Sequence, residues 1–174
     1  MKPLFLVGYM GCGKSTLGRK LARRLGVGFV DTDALVEEQA GASVADVFRY
    51  EGEARFREAE REALERAIAA GGETVVSTGG GLPTWGDNMQ RMNGVGHTVF
   101  LHRTAEQIAR RLSPYGRRKR PRLRGLDDAE LVAFMERDMA VREPFYAQAQ
   151  LVVDCDAMSD DQVVEHILRQ LGLN

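Results

Sequence analysis

The sequence predicts an α/β fold built on a mostly parallel sheet. Three observations carry that expectation: short apolar runs recur along the chain, helical segments separate them, and glycine-rich or acidic turns follow the runs directly. The chain has 174 residues, 44% apolar and 28% charged, with five prolines. That length suits one hydrophobic core, and the composition excludes disordered, collagen-like and disulfide-stapled classes. A single domain over residues 1–174 is expected.

Leu4–Val7 is a continuous apolar run of the kind that forms a strand buried on both faces. Residues Lys14 to Leu25 place Leu17, Leu21, Ala22 and Leu25 on one side of a helix that Gly26 stops. Phe29-Val30 is a brief strand running into Asp31-Thr32-Asp33, and residues 34–70 read as helices broken near Gly41 and Gly52. Thr74–Ser77 and Thr98–Leu101 are further strands, with a helix around Asn88–Met92 between them. Thr104 and Gln107 have the spacing of a capping box. Residues 113–125 hold two prolines and two glycines and read as a loop. A helix from Asp127 to about Arg142, a strand at Leu151–Val153 and a helix from Asp160 to Leu171 complete the alternation.

Charge is balanced over the chain and unbalanced locally. Twenty-four basic and 25 acidic residues leave a formal net charge of −1, yet Arg117, Arg118, Lys119, Arg120, Arg122 and Arg124 crowd into eight positions. Cys12 and Cys155 are too few and too far apart for a zinc cluster or a secreted framework, so a reducing compartment is expected. No apolar run approaches the ~18 residues of a membrane span, and no signal-peptide pattern opens the chain. The expected location is cytoplasmic, with no membrane partner.

Gly8-Tyr9-Met10-Gly11-Cys12-Gly13-Lys14-Ser15 matches the phosphate-loop pattern G-x-x-x-x-G-K-[ST], between a strand and a helix as that motif requires. Its glycines let successive backbone N–H groups turn inward onto phosphate oxygens, and the helix N-terminus adds a favourable dipole. Lys14 supplies a point charge for the β- and γ-phosphates of a nucleoside triphosphate, and the Ser15 hydroxyl is a hard ligand for Mg²⁺. Cys12 reads as a small side chain at a variable position, and Thr16 neighbours the nucleotide. Ligands of such sheets sit beyond the carboxyl ends of the strands, so residues 8–15, 31–33 and 79–81 should converge on one crevice. There one of Asp31 and Asp33 can orient Mg²⁺ while the other accepts a proton; alternatively Asp33 caps the helix expected to start near Ala34, and Asp31 lies in a solvated turn. By composition alone Arg57 is a solvated helix charge and Arg142 a last-turn cation. Gly79, Gly80 and Gly81 together cost conformational entropy, which is expected where a ligand approaches the backbone closely.

These motifs, with Gly-Glu-Ala-Arg-Phe-Arg at 52–57, Ser-Thr-Gly-Gly-Gly at 77–81, Arg-Pro at 120–121 and Arg-Glu-Pro-Phe-Tyr at 142–146, together resemble shikimate kinase over nearly the whole chain. The resemblance implies a three-layer P-loop kinase fold with a five-stranded parallel sheet in the order 2-3-1-4-5, a mobile lid at about 113–125 and substrate-binding helices at about 34–70. It implies a monomer that phosphorylates the 3-hydroxyl of shikimate with ATP and Mg²⁺. Position by position, Gly11, Cys12, Gly13, Lys14, Ser15 and Thr16 bind the nucleotide, Arg111 lies against adenine, and Arg120 closes over the phosphates. Asp33 is the base and holds the acceptor hydroxyls, Ser15 and Asp31 serve Mg²⁺, Arg57 and Arg142 grip the acceptor carboxylate, and Gly79–Gly81 offer their backbone. The basic cluster then belongs to the lid and not to a nucleic-acid surface. Two departures stand out: Arg122 occupies a place where the family commonly has an apolar residue, and Asp154–Met158 carries no arginine for adenine. A gluconate or nucleoside monophosphate kinase shares the phosphate loop without predicting the paired arginines and the glycine triplet.

Overall fold

The computed structural model describes residues 1–112, 116–117 and 120–173. Among these, β1 (Leu4–Val7), β2 (Gly28–Asp31), β3 (Thr74–Ser77), β4 (His97–His102) and β5 (Leu151–Asp154) form one parallel sheet in the order β2-β3-β1-β4-β5. This is the order the resemblance implies. All four residues of β1 are fully buried, because a central strand covered on both faces has no solvent side and needs no polar alternation.

Helices α1 (Lys14–Leu25), α2 (Thr32–Ala40), α3 (Val44–Ala69), α4 (Asn88–Val95), α5 (Ala105–Arg111), α6 (Asp128–Tyr146) and α7 (Asp160–Leu171) cover both faces of the sheet. Leu6 and Phe29 face α1, where a Cβ on Gly18 would come within 2.6 Å of the Phe29 ring; Phe5 points the other way, towards Gly96. Lys20–Asp160 and Arg24–Glu165 tie α1 to α7 at the surface. A separate small cluster of Val36, Val47, Ala59 and Ala63 holds α2 against α3. Gly41 ends α2, and Gly52 (φ 85°, ψ 169°) kinks α3, at the two glycines where breaks are expected.

Three local expectations need correction. Helix α2 begins at Thr32 and not near Ala34, because the Asp31 carboxylate caps it by accepting the Asp33 N–H at 2.9 Å. Helix α6 runs past Arg142 and Pro144 to Tyr146. The proline forfeits one backbone bond near the helix end, and burial of the Tyr146 ring offsets that loss. The capping box at Thr104 is half formed: Thr104 Oγ1 accepts from Gln107 N, but its own N–H donates to Asp156 across the fold. Complete boxes occur instead at Asp127–Glu130 and Ser159–Gln162. Within the expected loop at 113–125, Pro121–Leu123 forms a single 3₁₀ turn; Ser113, Pro114, Tyr115, Arg118 and Lys119 lie outside the described residues. No described helix is long and apolar enough to cross a membrane.

Candidate active site

The phosphate loop leaves β1 with Gly8, Gly11 and Gly13 all at positive φ (150°, 76° and 102°). A Cβ at Gly8 would also come within 2.8 Å of the Leu101 carbonyl oxygen, so the curl needs glycine on two counts. Turning amides inward turns carbonyls outward, and these carbonyls find donors. Lys14 Nζ reaches back to Gly8 O (2.7 Å) and Tyr9 O (2.9 Å), while Arg103 Nε donates to Cys12 O (2.9 Å). Cys12 is fully buried under the loop, as its small side chain allows.

Parallel register sets where Asp31 and Ser77 lie. Asp31 at the end of β2 stands opposite Ser77 at the end of β3. Ser15, the second residue of α1, donates its hydroxyl to Asp31 Oδ2 (2.8 Å) and lies 3.4 Å from Ser77 Oγ. Two hydroxyls and a carboxylate make a small set of hard oxygens, which suits Mg²⁺ because that ion keeps most of its shell for water and phosphate. Among the described residues no cluster of three or more His, Cys, Asp or Glu offers a protein cage for a metal.

Asp33, in the first turn of α2, lies at the centre of the crevice. Burial, with help from the Asp31 carboxylate, raises its pKa to about 6 against the opposing pull of Lys14 and Arg120. Asp33 Oδ1 would be 2.6 Å from a Cβ on Gly79, and Glu60 Oε1 would be 3.2 Å from it. Glu60 is buried on α3, and burial lifts its pKa to about 7 although Arg57 Nη1 donates to it at 2.6 Å. The Arg57 guanidinium also stacks 5.2 Å from the Trp85 ring, and its Nε is buried without a partner. A Cβ on Gly81 would meet Arg57 Nη1 at 2.3 Å, and one on Gly80 would meet Arg142 Nη1 at 3.4 Å. At Gly79 a carboxylate and at Gly81 a guanidinium already occupy the space a side chain would need, whereas Gly80 has room for a Cβ in ordinary contact.

A cleft of about 490 Å³ joins these parts. It is lined by Gly11, Gly13, Lys14, Ser15 and Thr16 of the glycine-rich loop and α1, by Asp31, Asp33, Gly79 and Gly80 at the ends of β2 and β3, and by Arg111 and Arg120. Arg57, Gly81 and Arg142, which the resemblance assigns to the same site, do not line this cleft; Arg57 lies against Gly81 and Arg142 against Gly80 beside it. A family model described as "Shikimate kinase" matches residues 10–172. The chain belongs to the shikimate kinase family. Shikimate kinase of Bacteroides thetaiotaomicron is 42% identical over 171 residues, which cover 98% of this chain and 97% of that one. The solved structure of a shikimate kinase from the same organism has a TM-score of 0.89 at 40% identity, covering 98% of both chains. A shikimate kinase from Acinetobacter baumannii, solved in complex with shikimate, has a TM-score of 0.85 at 28% identity over 98% of this chain and 93% of that one.

In this shikimate kinase fold Arg111 Nη2 lies 3.3 Å from where a Gly13 Cβ would be, and Arg120 Nη1 donates to Gly116 O (2.8 Å). Burial lowers the Arg120 pKa while Asp33 and Tyr9 oppose it. Of the basic cluster, Arg117 pairs with Asp128 (2.7 Å) and Arg122 with Asp138 (3.6 Å). Sequence reasoning passed over Glu60, Ser77, Arg103 and Asp138. Glu60 and Asp138 carry a weak signal, acids three residues after Arg57 and four before Arg142 on a helix. Arg103 is a charge placed directly after a buried strand; Nη1 donates to Cys155 O (3.0 Å), so one side chain clamps the phosphate loop to the turn after β5.

Proposed function

We propose that this chain transfers the γ-phosphoryl group of ATP to the 3-hydroxyl of shikimate, giving shikimate 3-phosphate and ADP on the route to chorismate and the aromatic amino acids. The supporting observation is the position of Asp33. Its carboxyl lies against Gly79 and Glu60 on one side and within electrostatic reach of Lys14 and Arg120 on the other. A base there meets both the acceptor hydroxyl and the phosphoryl group.

Asp33 takes the proton of the attacking hydroxyl, and its raised pKa brings it nearer to that task than an ordinary carboxylate. Lys14 and Arg120 stabilise charge on the transferred group, and the phosphate-loop amides hold it in line. Arg57 and Arg142 bind the shikimate carboxylate with planar forks. Ser15 and Asp31 would hold Mg²⁺, which when bound would neutralise phosphate charge. Arg111 covers adenine, and residues 1–174 act as one domain, a monomer with residues 113–125 as its lid. The test is ADP release: millimolar shikimate should stimulate it strongly and gluconate should not. Equal rates with and without shikimate would overturn the assignment.

A further inference from the structure

The transfer chemistry makes no use of Asp138, yet three elements converge on its carboxylate. Tyr9 of the phosphate loop donates its hydroxyl to Oδ2 at 2.7 Å. Arg142 Nε, one helical turn along α6, lies 3.6 Å from Oδ1, and Arg122 Nη2 lies 3.6 Å from the same oxygen. Asp138 and Arg142 are each only about 15% exposed, so this is not a solvated helix pair of the kind worth a few tenths of a kcal/mol. Arg122 is the residue that departs from the family's apolar pattern, and Asp138 is what it meets.

The consequence lies in which edge of Arg142 remains available. Its Nε edge is turned to Asp138, its guanidinium lies 5.8 Å from the Tyr9 ring centre, and it is within electrostatic reach of Tyr146. Tyr146 in turn donates its hydroxyl to Gly80 O. Nη1 is then left beside Gly80, at the acceptor end of the cleft. A guanidinium with one edge committed presents the other to a planar carboxylate, in one orientation. Arg122 adds a second link, because it sits two residues after Arg120 and shares the oxygen that faces Arg142.

We propose that Asp138 is a positioning residue for acceptor recognition: it aims Arg142 at the substrate carboxylate and, through Arg122, ties that arginine to the turn carrying Arg120. The proposal rests on the shikimate-phosphorylating reading of the site. Steady-state kinetics of Asp138→Asn, Arg122→Leu and Tyr9→Phe test it, each with shikimate and with its methyl ester as substrate or competitor. Asp138→Asn should raise KM for shikimate about tenfold while kcat and KM for ATP stay within about twofold. Arg122→Leu and Tyr9→Phe should each raise it about threefold, and neither should add to Asp138→Asn, since they act through the same carboxylate. With the ester, which lacks the charge Arg142 binds, the variants should match the parent chain. An equal loss with acid and ester, or a KM for shikimate within about twofold of the parent in Asp138→Asn, overturns the proposal. If Asp138→Asn does not fold, the other two variants decide, and unchanged KM in both overturns it. A parent chain that does not turn over shikimate would instead remove the functional reading, and this one with it.

Discussion

Asp33 is one carboxyl under opposing influences, and its titration should be visible in the kinetics. Burial and Asp31 hold its pKa near 6, and its charge is coupled to that of Glu60 near 7. Since the proton acceptor must be ionised, kcat/KM for shikimate should fall as pH drops through about 7 to 6, tracking the coupled pair. A rate flat from neutral pH down to an ordinary carboxylate range would remove Asp33 from the base role. Asp33→Asn should abolish transfer and spare ATP binding. It should also stabilise the fold, for a reason fixed in sign. A carboxyl whose folded pKa exceeds the unfolded value of 3.8 contributes most stability below that value and loses it as pH rises through about 6. The variant should therefore melt a few degrees above the parent at alkaline pH, with the gap closing in acid.

At the scale of elements, the approach of backbone to its neighbours decides what glycine does, and two glycines give contrasting expectations. At Gly81 the obstacle to a Cβ is the flexible end of Arg57, which can swing aside. Gly81→Ala should fold with little change in Tm, yet raise KM for shikimate about tenfold by displacing the guanidinium. At Gly96, between α4 and β4, the obstacle is the backbone oxygen of Pro3 at 2.3 Å, which accepts the His97 N–H and cannot yield without breaking the edge of β1. Gly96→Ala should cost about 1–3 kcal/mol and lower Tm by about 2–4 °C for each of them, read by calorimetry, with KM values unchanged.

Over the whole molecule, a formal charge of −1 gives no long-range pull on anionic substrates. The attraction is local, from Lys14, Arg57, Arg111, Arg120 and Arg142 grouped around one crevice. Raising KCl from about 0.05 to about 0.5 M should raise both KM values several-fold, because charges at the mouth of a cleft are screened over a Debye length. Thermal stability should move little, since the paired surface charges contribute little to it. A KM for ATP insensitive to salt would mean that Arg111 and Arg120, which line the cleft, do not draw in its phosphates.

The alternation of strands and helices, the phosphate loop and the family resemblance were all legible from residue order. Each is written in short-range pattern: apolar runs for buried strands, glycines where φ is positive, and a motif whose spacing is its function. The sequence alone therefore determined the α/β class and the phosphate-loop motif, while Asp33, Arg57 and Arg142 became candidate acceptor groups only through the family resemblance. Only the tertiary structure decided how those groups are held. Asp31 caps α2 because β2 delivers it there beside Ser77; Glu60 is buried because α3 packs against the glycine triplet. Arg103 and Asp138 act across 91 and 129 residues of chain, on Cys12 and Tyr9. Such partners leave no local signature, since a charge on a helix looks the same in sequence whether it faces water or another element, and packing alone tells the two apart.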